Sequence, residues 1–212
     1  MRMLIGALVL ALLPTLAVAP SMAAVAPDAT PAPLGAADCT IEPIDPASYT
    51  AAIAAATPPP PLPGTPEGTP ADAATVAGVT EAIKQSIACT NAGDLGRLLA
   101  VIDPSYAPII LGVPNDQVPA AVEAAAKTSA ASGPATPLVD DLDNTSLVSN
   151  LISVTNVTQL PEDFFHRLVS AEVKISRPGI GSVTATVYFR KEGDHYIITQ
   201  YVYTQQAATP AA

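Results

Sequence analysis

Apolar residues keep a helical period in this chain up to about residue 127 and an alternating period from about residue 151. That one change of period limits the fold more than any other feature. Val76, Val79, Ile83 and Ile87 recur on one helical face, with Glu81, Lys84 and Gln85 elsewhere. Thr69-Pro70-Ala71-Asp72 supplies a start, with an N-cap hydroxyl at Thr69, a first-turn proline and a carboxylate. Asn91-Ala92-Gly93 supplies an end, Gly93 suiting a left-handed C-terminal position. Asp94 then caps a shorter helix whose Leu95, Leu98, Leu99 and Ile102 face inward, and Asp103-Pro104 stops it. A third helix is expected over 116–127 on Val118, Ala121, Val122 and Ala125, and 128–146 reads as a loop.

Beyond the loop the period becomes two. Leu151 to Val157 is a first strand candidate and Phe165 to Ile175 a second, in which Val169, Ala171, Val173 and Ile175 alternate with polar residues. Val183, Ala185, Val187 and Phe189 alternate with Thr184, Thr186, Tyr188 and Arg190 in a third. Turns over 177–181 and 192–194 separate the third from its neighbours, and the fourth runs from His195 to Tyr203. Helices followed by an antiparallel meander predict an α+β domain over 71–204, with the helices on one sheet face and a disordered tail at 205–212.

The preceding segment obeys different rules. Twelve of the 23 prolines fall between Pro27 and Pro70, with Pro58-Pro59-Pro60-Pro61 in the middle. Proline fixes φ and donates no backbone hydrogen bond, so 24–70 reads as an extended, disordered arm, a spacer before the domain, in which 48–56 is a candidate short helix. Such an arm is expected to add little burial, and a chain starting near Thr69 with Cys89→Ser is expected to stay folded.

Residues 1–23 carry an export signal. Arg2 gives the positive start, Leu4 to Leu13 is an apolar run closed by Pro14, and Ser21 and Ala23 occupy the −3 and −1 positions of a peptidase site. The run is short of the ~20 residues that a membrane-spanning helix needs. The reading is therefore a cleaved signal peptide with no membrane insertion afterwards, and secretion or cell-surface or periplasmic residence in a bacterial host. The formal charge is −10, and losing Arg2 leaves eight basic against 19 acidic residues, or −11. That balance repels phosphate backbones and anionic headgroups, which argues against nucleic-acid partners. The sequons at Asn144 and Asn156 matter only in a eukaryotic host and are taken as incidental.

Cys39 and Cys89 are the only cysteines, and export places them where disulfides persist. With His166 and His195 they fit no metal-site spacing. A catalytic thiol would leave the other cysteine unexplained, so a disulfide is the expected pairing, tying the arm to the helix that carries Cys89.

The segment IACTNAGDLGRLLAVIDPSY and the ending YFRKEGDHYIITQYVY together resemble nuclear transport factor 2-like domains, the superfamily that also holds polyketide cyclases of the SnoaL-like type. The first matches a helix, a break and a short leucine helix. The second matches a final hairpin with a charged, glycine-containing turn. The resemblance spans about 71–204. It implies a curved sheet wrapped around helices with a cone-shaped pocket between them, in a superfamily of both enzymes and non-enzymatic binding proteins.

Enzymes of that superfamily project Asp, His or Tyr groups into the cone. The candidates here are Asp103, Tyr106, Asp163, His166, Tyr188, His195, Tyr201 and Tyr203. Asp103, before Pro104, suits a turn; His195, after Asp194, suits an exposed hairpin; Tyr188 shares a face with Thr184, Thr186 and Arg190, which suits an outer or interface face. Tyr106, His166, Tyr201 and Tyr203 remain as the candidate pocket, His166 having the intrinsic pKa nearest neutrality. No G-x-S-x-G, H-E-x-x-H, phosphate loop or C-x-x-C is present, and no cofactor is implied. The expected function is an exported binding or interaction module, its partner an apolar small molecule in the cone or a second copy through the sheet face. The alternative is a cofactor-free lyase or isomerase acting on an apolar substrate.

Overall fold

The computed structural model of the protein describes residues 33–56, 67–131, 148–161, 168–177 and 181–206. These form five α-helices and a five-stranded, open antiparallel sheet whose strands lie in sequence order. The α+β layout and the meander are as the periodicity predicts.

The principal helix, α2, runs Ala73–Ala92, and strand β1 precedes it as Thr69–Pro70. The helix starts later than Thr69 because Asp72 is its N-cap, accepting from Thr75 N at 2.7 Å. Thr69 and Pro70 instead pair with Gln159 and Thr158 at the edge of the sheet, where a missing N–H is tolerated. Gly93 ends α2 at φ 69°, in the left-handed region that favours glycine. Helix α3 (Leu95–Leu99) follows under the Asp94 cap, as expected.

Helix α3 ends at Leu99, short of the stop expected at Asp103-Pro104, and Ile102 beyond it bridges to Ile198; Pro104 opens new structure. It begins a 3-10 turn, Pro104–Tyr106, that continues into α4 (Ala107–Leu111), an element the apolar spacing did not announce. Helix α5 runs Val118–Ala131, slightly beyond its expected end.

Strands β2 (Asn150–Gln159), β3 (Val169–Arg177), β4 (Gly181–Glu192) and β5 (His195–Gln206) complete the sheet. The start expected for β3 at Phe165 lies outside the described residues. At the far edge, Ile198 N donates to Val101 O and Asp103 N donates to Ile198 O, both at 2.8 Å. These bonds fasten the chain after α3 to β5 and fix where the Pro104–Tyr106 turn begins.

The main core lies between α2 and the sheet, where Val79, Ile83, Val187, Phe189 and Ile198 are fully buried. A second core joins the remaining helices through Leu99, Ala107, Val118, Val122 and Ala125, together with Tyr49. Tyr49 belongs to α1 (Pro46–Ala55), the short helix expected at 48–56 within the proline-rich arm. The expectation of little burial there fails for 33–56: Tyr49 is buried, Ile44 and Ile53 pack beside it, and Leu34 and Ile41 pack on the main core. An apolar face on three turns of helix is enough to dock once two other helices offer a cleft. The tetraproline run lies outside the described residues.

Cys39 and Cys89 are bonded, with Cα atoms 4.8 Å apart and both side chains buried. Beside the bond, Gln85 Oε1 accepts from Thr40 N at 2.9 Å and from Ile41 N at 3.2 Å. The segment is thus held by side-chain hydrogen bonds and packing as well as by the covalent tie.

Candidate functional site

Between α2 and the inner face of the sheet lies a cavity of about 440 Å³. Helix α2 contributes Ile83, Ser86, Ile87 and Thr90, which fall on one helical stripe. The sheet contributes Val173, Ile175 and Arg177 from β3, Ala185 and Val187 from β4, and Tyr201 and Tyr203 from β5. Strand register brings the last four together, since Ala185 lies opposite Tyr203 and Val187 opposite Tyr201. Leu98, Ile102, Tyr106 and Ile109 close the side formed by α3 and α4.

The walls are mainly aliphatic, and the polar atoms are few and tied. The Ser86 and Tyr201 hydroxyls share a hydrogen bond of 3.1 Å. Thr90 Oγ1 donates back to Ser86 O at 2.7 Å, which satisfies its hydroxyl within the helix. Tyr106 packs on Tyr201 with ring centroids 6.1 Å apart and planes tilted by 32°. Burial pushes the Tyr201 phenol well above its ordinary range, with the Tyr203 and Tyr106 phenols adding to the rise and the Ser86 bond opposing it. Burial also raises Tyr106, against an opposing hydrogen bond from the Tyr201 main chain.

At one end stands Arg177, half-buried, whose Nε donates to Ser149 Oγ at 3.0 Å. Ser149 is buried and held in turn by Asn91: its N–H donates to Asn91 Oδ1 at 2.9 Å, and its carbonyl accepts from Asn91 Nδ2 at 2.9 Å. The same Asn91 amide donates to Leu34 O at 2.7 Å. The guanidinium is therefore positioned by a chain of bonds from the N-terminal segment through the end of α2.

Three of the four pocket candidates, Tyr106, Tyr201 and Tyr203, come together in this cavity. His166, the fourth, lies outside the described residues, as does Asp163. Asp103 is a turn residue, accepting from Ser105 N at 2.9 Å and pairing with Arg190 at 2.8 Å. His195 is exposed at the hairpin. Tyr188 does point away from the cavity, yet it is buried at 2% exposure against Leu160 and Leu168, so its face is covered there and not open. Among the described residues no group of three His, Cys, Asp or Glu side chains gathers to hold a metal ion.

Arg177 and Ser86 were missed. Arg177 falls in the segment whose proline and glycines predict a turn, yet it continues the inward series 169, 171, 173, 175 by one step. Ser86 sits on the apolar stripe of α2, where a lone hydroxyl is easily taken for a neutral helix residue.

No family model matches the chain, and neither a curated protein nor a solved structure matches it.

Proposed function

We propose that this chain is an exported binding module of nuclear transport factor 2-like architecture, whose cavity takes an apolar small molecule. The observation that carries the reading is the cavity itself: about 440 Å³, largely aliphatic, with a few fixed polar groups, within the size range of ligand pockets. Ile109 and Tyr203, 66% and 64% exposed, line it while facing solvent, which gives an apolar ligand a way in. The helices-on-one-face layout and the sequential antiparallel sheet support the architecture. The Cys39–Cys89 bond supports export, because disulfides persist in oxidising compartments.

The lyase or isomerase reading has less support. The described lining offers hydroxyls and a guanidinium but no imidazole or carboxylate, and burial moves the Tyr201 phenol away from neutral-pH proton transfer. A dimer through the outer sheet face has less support too, since Glu172 and Lys174 stand exposed there.

The test uses N-phenyl-1-naphthylamine, an uncharged apolar probe whose emission rises in dry surroundings. Saturable, one-to-one enhancement is expected with the full mature chain. Ala185→Phe, which fills the cavity from β4, should remove it while leaving the melting transition cooperative. Enhancement that survives Ala185→Phe unchanged, or none at all, overturns the reading.

A further inference from the structure

We propose that the natural ligand is an amphiphile ending in an oxyanion, of the fatty-carboxylate type, with its head group held by Arg177 and its apolar body along α2 and the sheet. This rests on the reading of the cavity as a binding site. Arg177 is the one charged side chain among the described residues that line the cavity; every other described wall is aliphatic, aromatic or hydroxylic. A guanidinium at the inward end of an apolar strand series is poorly placed to serve solubility. Its charge, half-buried among Val173 and Ile175 side chains, is costly unless something compensates it.

The chain's other described arginines show how that compensation is usually made here. Arg97 pairs with Asp94 at 2.8 Å, and Arg190 pairs with Asp103 at 2.8 Å. Among the described residues no carboxylate forms an ion pair with Arg177. Its fixed contact is Ser149 Oγ, a neutral acceptor at Nε. The two terminal amino groups carry four of the five guanidinium N–H donors, in the planar fork that matches an oxyanion.

The site is also built to keep the fork still. Ser149 is 3% exposed and is clamped on both its N–H and its carbonyl by Asn91. A donor immobilised before binding loses little rotamer freedom on capture of its ligand, which favours affinity. The chain carries 19 acidic residues against 9 Lys and Arg, so its general field gives an anion no help. Recognition must then come from the local guanidinium.

The experiment compares ligands of one tail length and different heads. Decanoate, 1-decanol and decyltrimethylammonium compete with N-phenyl-1-naphthylamine on the full mature chain, and decanoate is also titrated directly by calorimetry. Decanoate is expected to bind at least tenfold tighter than decanol, and the ammonium weakest. Arg177→Gln should weaken decanoate at least tenfold more than it changes decanol or the probe, bringing decanoate to the level of decanol, and Arg177→Lys should restore part of the preference. Equal affinity for decanoate and decanol, or equal weakening of both by Arg177→Gln, overturns the head-group assignment and leaves the apolar binding site standing. Failure of the probe and of decanoate in calorimetry overturns both.

Discussion

The hydroxyl of Tyr49 donates a hydrogen bond of 3.0 Å to the carbonyl of Ile102, across 53 positions of sequence. The bond joins the N-terminal helix to the residue that also bridges to β5 and lines the cavity. A segment with the composition of a linker is thereby part of the fold.

Tyr49→Phe should cost about 1 kcal/mol, a typical net hydrogen-bond contribution, and Tyr49→Ala roughly 3–5 kcal/mol through the cavity left beside Leu99 and Val122. Urea denaturation monitored by circular dichroism measures both. A chain starting at Thr69 with Cys89→Ser should lose more than the full chain lacking both cysteines, since it also uncovers Val118 and Val122. Equal stability of those two proteins would show that 33–56 contributes only its covalent tie.

Replacing Cys39 and Cys89 by Ser together removes a cross-link between positions 50 apart. The chain-entropy estimate for that loop is ~4 kcal/mol. The melting temperature should fall by about 8–16 °C, with cooperative unfolding retained because Tyr49 and Gln85 still hold the segment. Mass spectrometry of an unreduced digest should show the linked peptide pair.

Stability should decline at alkaline pH. Burial, with the Asp103 charge adding to it, holds the Tyr49 phenol above its ordinary range, and burial does the same for Tyr201. The unfolded chain ionises both near pH ~10, whereas the folded chain keeps them neutral. Their contribution is therefore full below about pH 10 and is lost as pH rises further. Denaturation midpoints should fall in that range, and Tyr49→Phe and Tyr201→Phe should each flatten the fall. Parallel profiles for wild type and variants would contradict the assignment.

The acid limb belongs in part to Asp94. Burial alone would raise this carboxyl, but hydrogen bonds from Ser129 and from the Arg97 main chain and guanidinium outweigh it and hold it below its usual range. Its contribution is present above the ordinary carboxylate range and lost as pH falls below about 4. Asp94→Asn should cost about 1–3 kcal/mol at neutral pH and leave a shallower decline in acid. An unchanged acid limb would remove Asp94 from the account.

If the chain is exported, the mature protein from its native host should begin at Ala24 and lie outside the cytoplasm. N-terminal sequencing decides it, and an intact Met1 on membrane-bound protein would refute it.

Much of this architecture is local and was legible in the sequence. The switch from helical to alternating apolar period places α2, α3 and the meander, because burying one face of a helix or strand imposes that period whatever the partner. Gly93 and Asp94 mark a helix junction because their preferences reside in single residues. The disulfide is expected from the presence of just two cysteines and from the oxidising compartment that export, the expectation for residues 1–23, would give them.

What tertiary structure alone decided are the contacts that cross long stretches of chain. Asp72, not Thr69, starts α2, because Thr69 and Pro70 find strand partners 90 and 88 positions away in Gln159 and Thr158. Tyr49 becomes core because α3 and α5 leave a cleft, which no property of 46–55 announces. Arg177 becomes a cavity residue because β3 continues one inward step past its last aliphatic side chain, where Ser149 and Asn91 wait to hold it. Periodicity says which residues are buried. Only the assembled layers say what is buried beside them, and ligand recognition depends on those neighbours.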